Sequence, residues 1–349
     1  MALALLLAAA LAAQAAAAAP ARLNLVFVDA AALSPDQVEP AFGFLASSAA
    51  VFETAIAQAD RPAPSLASIL TSEYAAAHGA LAPGRSLSTG TPTLPELLAR
   101  AGYRTALFSA GAPPAPGLDG DFKQAAAAAG WLAGGREPFC LFLRAGGASD
   151  AAAVREVWEA VERAGLGPRT AVILVAENGG RGRRLLDDGA LRVPLVVRAP
   201  GVRPRKLARV VSAIDAAPTA LGLLGLPVPA EFEGTDRAAL LVATAPAPGG
   251  DGIAFSASVA GGQNPEIAAY AAREADWKLV YDKGAGTFRL YHLSADPEED
   301  ADAGAANPGR ALDMTQKLLR HVRETGSGPE RARRVSPDVL RQLREKGYW

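Results

Sequence analysis

The chain carries one cysteine, Cys140, so it can form no intrachain disulfide. Cys140 lies in the apolar run Phe139-Cys140-Leu141-Phe142-Leu143, which reads as a buried strand with a small core side chain at that position. Charge of one sign is also missing. The 35 basic and 36 acidic residues leave a net charge of -1, and no basic stripe invites a nucleic acid, so none is expected as a partner. There is no internal repeat. No Lys or Arg precedes Arg22. Residues 1–21 are instead apolar with small residues towards their end, and Ala19-Pro20-Ala21 reads as the exit of a secretory signal. The expected location is therefore periplasmic or secreted. The alternative is an N-terminal membrane anchor, for which Gln14 and the many alanines are poorly suited. With 349 residues, half of them apolar and a fifth charged, the chain can bury one large core or a large domain with a smaller one.

Short apolar runs alternate with helical spacing. Leu23-Asn24-Leu25-Val26-Phe27-Val28 reads as a buried parallel strand with Asp29 at its C-terminal edge. Thr93-Leu94-Pro95-Glu96 is a capping box that opens a helix ended by Gly102, and a strand follows over 103–108. Val154, Val157, Trp158 and Val161 mark another helix. Residues 170–176 form a strand ending at Glu177, and 193–197 another. Ile214-Asp215 leads into a helix that Gly225 stops. This alternation predicts an α/β fold, a mostly parallel mixed sheet sandwiched by helices, with ligands gathered at the C-terminal strand edges where Asp29 and Glu177 fall. Beyond about 236 the pattern changes to an antiparallel hairpin, 277–281 and 288–293 around a Lys283-Gly284-Ala285-Gly286 turn, then a charged helix over 309–323. The expected organisation is a signal at 1–21, an α/β core at 22–235, a small C-terminal antiparallel subdomain at 236–325 and a polar tail at 326–349. The Ala-, Pro- and Gly-rich stretch 243–252 is the best loop candidate.

Seven segments, in order from about 22 to about 307, resemble the sulfatases of the alkaline-phosphatase superfamily. Leu25-Val26-Phe27-Val28-Asp29 is similar to their first strand, which ends in a pair of metal-binding aspartates. Pro62-Ala63-Pro64-Ser65-Leu66-Ala67-Ser68-Ile69-Leu70-Thr71-Ser72, with His78-Gly79 downstream, is similar to the signature Cys-x-Pro-Ser-Arg-x-Ser-Leu-Leu-Thr-Gly and its His-Gly. Residues 93–105 resemble the helix and strand that follow. Val172 to Gly179 resembles the strand into the second metal motif, Asp-His-Gly or Asp-Asn-Gly. Residues 191–201 resemble the Arg-Val-Pro…Pro-Gly strand, 211–227 its helix, and 277–299 the C-terminal subdomain with its Asp296-Pro297-Glu298-Glu299.

The resemblance implies ester hydrolysis with a divalent cation, a nucleophile beside it, and Lys and His groups on the sulfate oxygens. At the matching positions much of this is replaced. Asp29 stands at the first metal aspartate, but its neighbour is Ala30. Pro62 occupies the nucleophile position and has no nucleophilic atom. Leu66 replaces the signature arginine. The second metal motif reads Glu177-Asn178-Gly179, and the expected lysine aligns with Arg183 or Arg184, which bind anions but donate protons poorly. The chain has three histidines, His78, His292 and His321, and none lies near the 139–143 strand, where the family's catalytic histidines are expected. The interval from Ser65 to Glu177 is also short for the family.

Each surviving residue has a plain structural reading beside the functional one. Asp29 caps a loop, or with Glu177 and Asn178 it forms a vestigial metal site. Ser65 caps a helix that starts near Leu66, or substitutes as nucleophile. Arg181, Arg183 and Arg184 are a solvated loop, or an anion clamp in which Arg181 binds substrate. His78 reads as structural. The residues favour no cofactor over a single calcium or magnesium ion. Three functions follow: an impaired sulfatase relative, an active sulfuric or phosphoric ester hydrolase with a rebuilt site, and a non-enzymatic anion- or glycan-binding surface protein. The ligand expected for each is a sulfated or phosphorylated small molecule or glycan; no partner protein is indicated.

Overall fold

The computed structural model describes residues 22–325 except 83–86, 88–89, 110–122, 125–126, 136, 244–251 and 262–263. The expected signal, the polar tail and nearly all of the 243–252 loop lie outside the described residues.

Eight strands make the main sheet: β1 (Asn24–Ala30), β2 (Ala50–Ile56), β3 (Arg104–Ser109), β4 (Lys123–Gln124), β5 (Phe139–Ala145), β6 (Thr170–Ala176), β7 (Arg192–Arg198) and β8 (Arg205–Ser212), in spatial order 4-3-5-1-6-7-2-8. Neighbours pair in parallel except at β7, which runs against both β6 and β2. The central strands β5, β1 and β6 are buried along their whole length. Their apolar, β-branched runs fit a sheet covered on both faces. Leu25, Phe27, Cys140, Phe142, Ile173 and Leu174 belong to one core cluster with the covering helices Val38–Ala46, Leu94–Arg100, Ala151–Arg163 and Ala216–Leu223. The Thr93 capping box forms: Glu96 accepts from the Thr93 backbone N–H at 2.7 Å.

A second sheet is entirely antiparallel: β9 (Ala254–Ala260), β10 (Glu266–Arg273), β11 (Trp277–Asp282) and β12 (Thr287–His292), in order 12-11-10-9. The expected hairpin is its β11–β12 pair, with β10 and β9 added at the other side. The 18-residue helix Pro308–Thr325 packs Ala311, Met314 and Leu318 on Leu279 and Leu290 of this sheet. The main core keeps the helix Ala238–Val242, whose Leu241 is fully buried in it.

The helix Pro62–Thr71 corrects one expectation. It begins at Pro62 with Arg61 as N-cap, so Ser65 does not cap it; Ser65 lies a turn inside and donates its backbone N–H to the Arg61 carbonyl at 3.2 Å. Proline at the first turn explains the earlier start. Its φ is already helical, and its missing N–H would have had no partner there.

Candidate functional site

Three strand ends lie flush. In the parallel register Asp29 is opposite Arg144 on one side and Val175 on the other, and Ala30 is opposite both Ala145 and Ala176. Side chains alternate along a strand, so Glu177, two positions past Val175, shares the face of Asp29. The Glu177 N–H bonds the Ala30 carbonyl at 3.0 Å and continues the ladder one residue further. Beyond it the loop after β5 returns close to the loop after β1. Gly147, at φ 143°, passes so near Ala32 that a Cβ would stand 2.5 Å from the Ala32 carbonyl oxygen. Only glycine closes that edge.

Asp29, Arg144 and Glu177 therefore converge. The Arg144 guanidinium donates from Nε to Asp29 Oδ2 at 3.1 Å and to Glu177 Oε1 at 3.2 Å, and from NH2 to Glu177 Oε1 at 2.5 Å. All three are buried, Glu177 completely. Burial pushes both carboxyls above the ordinary carboxylate range. For Glu177 the neighbouring Asp29 charge pushes further, while Arg144 opposes the rise in both acids. Asp29 Oδ1 and Glu177 Oε2 are buried and accept no hydrogen bond from a donor group. The two acids are nevertheless hydrogen-bonding neighbours. One proton held between them satisfies both oxygens and leaves guanidinium, carboxylate and carboxylic acid with no net charge.

This donor set does not fit a divalent cation. Among the described residues no group of three or more His, Cys, Asp or Glu could hold a metal. A doubly charged ion about 4 Å from the Arg144 guanidinium would be repelled by about 8 kcal/mol at an effective dielectric constant of about 20. Asp29 does not cap a loop, because its Oδ2 is spent on Arg144. Asn178 faces the chain instead: its Nδ2 donates to the Ala31 carbonyl at 3.1 Å and its Oδ1 accepts from the Gly180 N–H at 2.9 Å, which shapes the turn after β6.

The other sequence candidates are not brought together with this cluster by any hydrogen bond or ion pair among the described residues. Pro62 opens its helix. The loop before it is pinned by the second sheet: the Ala257 N–H donates to the Gln58 carbonyl at 2.9 Å, Ser258 Oγ to Asp60 Oδ2 at 2.6 Å, and Arg61 Nε to the Val259 carbonyl at 2.8 Å. Ser65 is 0 % exposed and its Oγ has no partner, so solvent and substrate do not reach it. Arg181 pairs with the exposed Asp36. Arg183 pairs with Glu298, and Arg184 with Asp300 and with the Glu298 and Glu299 carbonyls. The two latter arginines are thus staples to the 298–300 turn. His78 is fully buried. Its Nδ1 accepts from the Ala80 N–H at 3.1 Å, so the proton sits on Nε2, 2.9 Å from Ser68 Oγ. Burial pushes this imidazole down to about 4.

Sequence reasoning passed over Arg144. Its signal was a lone charge closing the apolar run 139–143. Reasoning from sequence also passed over Lys278, which is 0 % exposed, bonds both Glu299 carboxylate oxygens at 2.9 Å and lies 3.4 Å from Asp188.

The second half of the chain matches a family model described as "N-sulphoglucosamine sulphohydrolase, C-terminal", over residues 176–324. Over this segment the chain is similar to the sulfatases. Among curated proteins it is 25% identical over 177 residues to arylsulfatase K of Xenopus laevis, covering 47% of this chain and 33% of that one. It is 30% identical over 146 residues to arylsulfatase K of Gallus gallus, covering 39% and 26%. The matches thus span a third or less of these relatives' length. Among solved structures, the 2-O GAG sulfatase BT1596 superposes with a TM-score of 0.72 at 16% identity, covering 91% of this chain and 96% of that one. BT4656, in complex with its substrate D-glucosamine-2-N,6-O-disulfate, gives 0.69 at 15%, covering 87% and 97%. The phosphonate monoester hydrolase of Agrobacterium radiobacter gives 0.69 at 18%, covering 86% and 95%. At these identities the likeness to solved structures establishes the fold, a sulfatase-like mixed sheet with a separate antiparallel sheet.

Proposed function

We propose that this sulfatase relative is an exported protein in which the hydrolysis of sulfate or phosphate esters is impaired, and whose ligand class is a sulfated or phosphorylated small molecule or glycan. One observation carries the reading. The first residue of the helix Pro62–Thr71, where the resemblance puts the attacking group, is a proline, and it offers no oxygen or sulfur to attack an ester. Ser65, the nearest hydroxyl along the helix, is sealed from solvent. The ligand class is carried over from the disulfated sugar bound by BT4656. Export rests on the apolar residues 1–21.

The test is turnover by purified protein of an aryl sulfate and an aryl phosphate, each with calcium, magnesium, manganese or zinc. The expected result is no turnover above that of the Asp29→Ala variant. Metal-dependent turnover that Asp29→Ala abolishes would defeat the reading.

A further inference from the structure

We propose that the Arg144 guanidinium is the built-in cation of this site, holding Asp29 and Glu177 together in place of a metal, and that removing it uncovers a binding site for a divalent cation. The proposal rests on reading the site as a substituted sulfatase centre, but it is decided by metal binding and not by turnover.

The geometry supports it in three ways. First, position. Arg144 is the register partner of Asp29 on the neighbouring strand, and its fork bonds one oxygen of each acid, Asp29 Oδ2 and Glu177 Oε1. A cation bridging two carboxyls would occupy the same gap. Second, chemistry. Two buried acids at one sheet edge need a positive charge, and a guanidinium supplies it through directed N–H bonds without the six to eight oxygen ligands that calcium demands. Among the described residues no third acidic, His or Cys group completes such a shell. Third, what remains when the side chain is removed. Asp29 Oδ1 and Glu177 Oε2 are buried with no partner beyond the proton the two acids share, and truncation at Arg144 frees Asp29 Oδ2 and Glu177 Oε1 as well. Two carboxylate oxygens, Asp29 Oδ2 and Glu177 Oε1, then border the vacated guanidinium volume, each carried on an acid whose second oxygen is also free to turn towards it. Hard cations accept this kind of surrounding, with water filling the rest of the shell, at dissociation constants of about 10⁻⁴–10⁻³ M.

The experiment compares unaltered protein with Arg144→Ala by calorimetric titration of CaCl₂ and MgCl₂ and by thermal unfolding with and without about 10 mM of either salt. Unaltered protein is expected to give no binding heat and no change in Tm. Arg144→Ala is expected to melt lower, to bind one equivalent, and to regain about 3–5 °C when the metal is added. Arg144→Gln, which keeps much of the bulk and loses the charge, serves if the alanine variant does not fold. The proposal is overturned if unaltered protein takes up one equivalent of either cation and Asp29→Ala abolishes the uptake. It is equally overturned if a folded Arg144 variant stays indifferent to both metals. Turnover by the unaltered protein without metal uptake would sink the proposed loss of hydrolysis and leave this inference standing.

Discussion

At position 177 a glutamine has almost the shape of a protonated glutamic acid. Burial and the charge on Asp29 keep the Glu177 proton in place, so Glu177→Gln swaps one neutral group for another. Its amide oxygen still accepts from Arg144, and its NH₂ donates to Asp29 Oδ1 in place of the acid proton. The sign of the pH effect follows. The unfolded chain releases this proton above the ordinary value of 4.5 while the folded chain keeps it, so unaltered protein loses stability as pH rises from there. Glu177→Gln carries no such penalty and should stay within about 1 kcal/mol of the unaltered protein at pH 7, improving relative to it at higher pH. Arg144→Met, which strands the buried acids, should cost about 3–5 kcal/mol. Urea unfolding midpoints between pH 6 and 9 decide this; equal losses in both variants would mean that Glu177 is needed as an anion. Sequence exposed two members of this cluster and hid the third. Asp29 and Glu177 end apolar strands, and a strand-edge carboxylate invites a chemical reading. Arg144 also ends such a strand, but its partners lie 115 and 33 positions away, and nothing local marks the contact. Arg183 and Arg184 misled in the opposite sense. They look like an anion clamp in sequence because their acidic partners, Glu298 and Asp300, come from the far subdomain.

Among the elements, β1, β5, β6 and β7 were legible as pure apolar runs, β3 as the run after a capped helix, and β11 and β12 as a hairpin around the Lys283-Gly284-Ala285-Gly286 turn. The strands β2 and β8 were missed because Glu53, Thr54 and the basic residues of Arg205–Ser212 interrupt them at the rim of the sheet, where one face meets solvent. Alanine-rich β9 and β10 match neither template cleanly. The antiparallel sense of β7 has no sequence signature at all. The segment after the helix Pro62–Thr71 makes stability depend on pH. His78 ties the short helix Ala75–His78 to Ser68 on Pro62–Thr71 and is neutral when folded. His321, on Pro308–Thr325, stacks on Phe255 with ring centroids 3.9 Å apart, and burial pushes it down to about 3. Unfolded, both rings take up protons near 6.5; folded, they resist until about 4 and about 3. The unfolded state therefore binds more protons across that window, and stability falls as pH falls from 6.5 towards 4. His78 alone contributes about 3 kcal/mol over the window. In His78→Asn the slope of unfolding free energy against pH between 6.5 and 4.5 should be shallower by about one proton. An unchanged slope would show that His78 already carries its charge in the fold.

The whole molecule depends on how the antiparallel sheet is held to the main one. The two sheets meet through Ile56, Leu186, Leu191 and Val210 against Ala269, Ala271, Val280 and Tyr291. Inside this apolar seam lies an ionic cluster: Lys278 from β11, Glu299 from the turn after β12, and Asp188 from the short helix Asp188–Leu191 before β7, which also pairs with Arg273 of β10 at 3.2 Å. Glu299 accepts the Asp188 N–H at 2.6 Å, so one carboxylate locks the lysine and that short helix together. Taking an ammonium out of water costs several kcal/mol, and the pairing must return it. Glu299→Ala leaves Lys278 buried beside a partly exposed Asp188 and should cost about 3–5 kcal/mol; Lys278→Met combined with Glu299→Leu removes both charges and should cost much less. The Arg183 and Arg184 staples lie outside the seam on exposed side chains, so Arg183→Ala with Arg184→Ala should move the unfolding midpoint less than Glu299→Ala does. The discriminating measurement is urea unfolding followed by two probes, Trp277 on the second sheet and Trp158 under the first. If the seam couples the sheets, both probes report one transition in the unaltered protein, and in Glu299→Ala the Trp277 signal is lost first. Coincident transitions in Glu299→Ala, at an unshifted midpoint, would mean that the apolar seam alone joins the sheets and that the buried lysine contributes nothing to the docking.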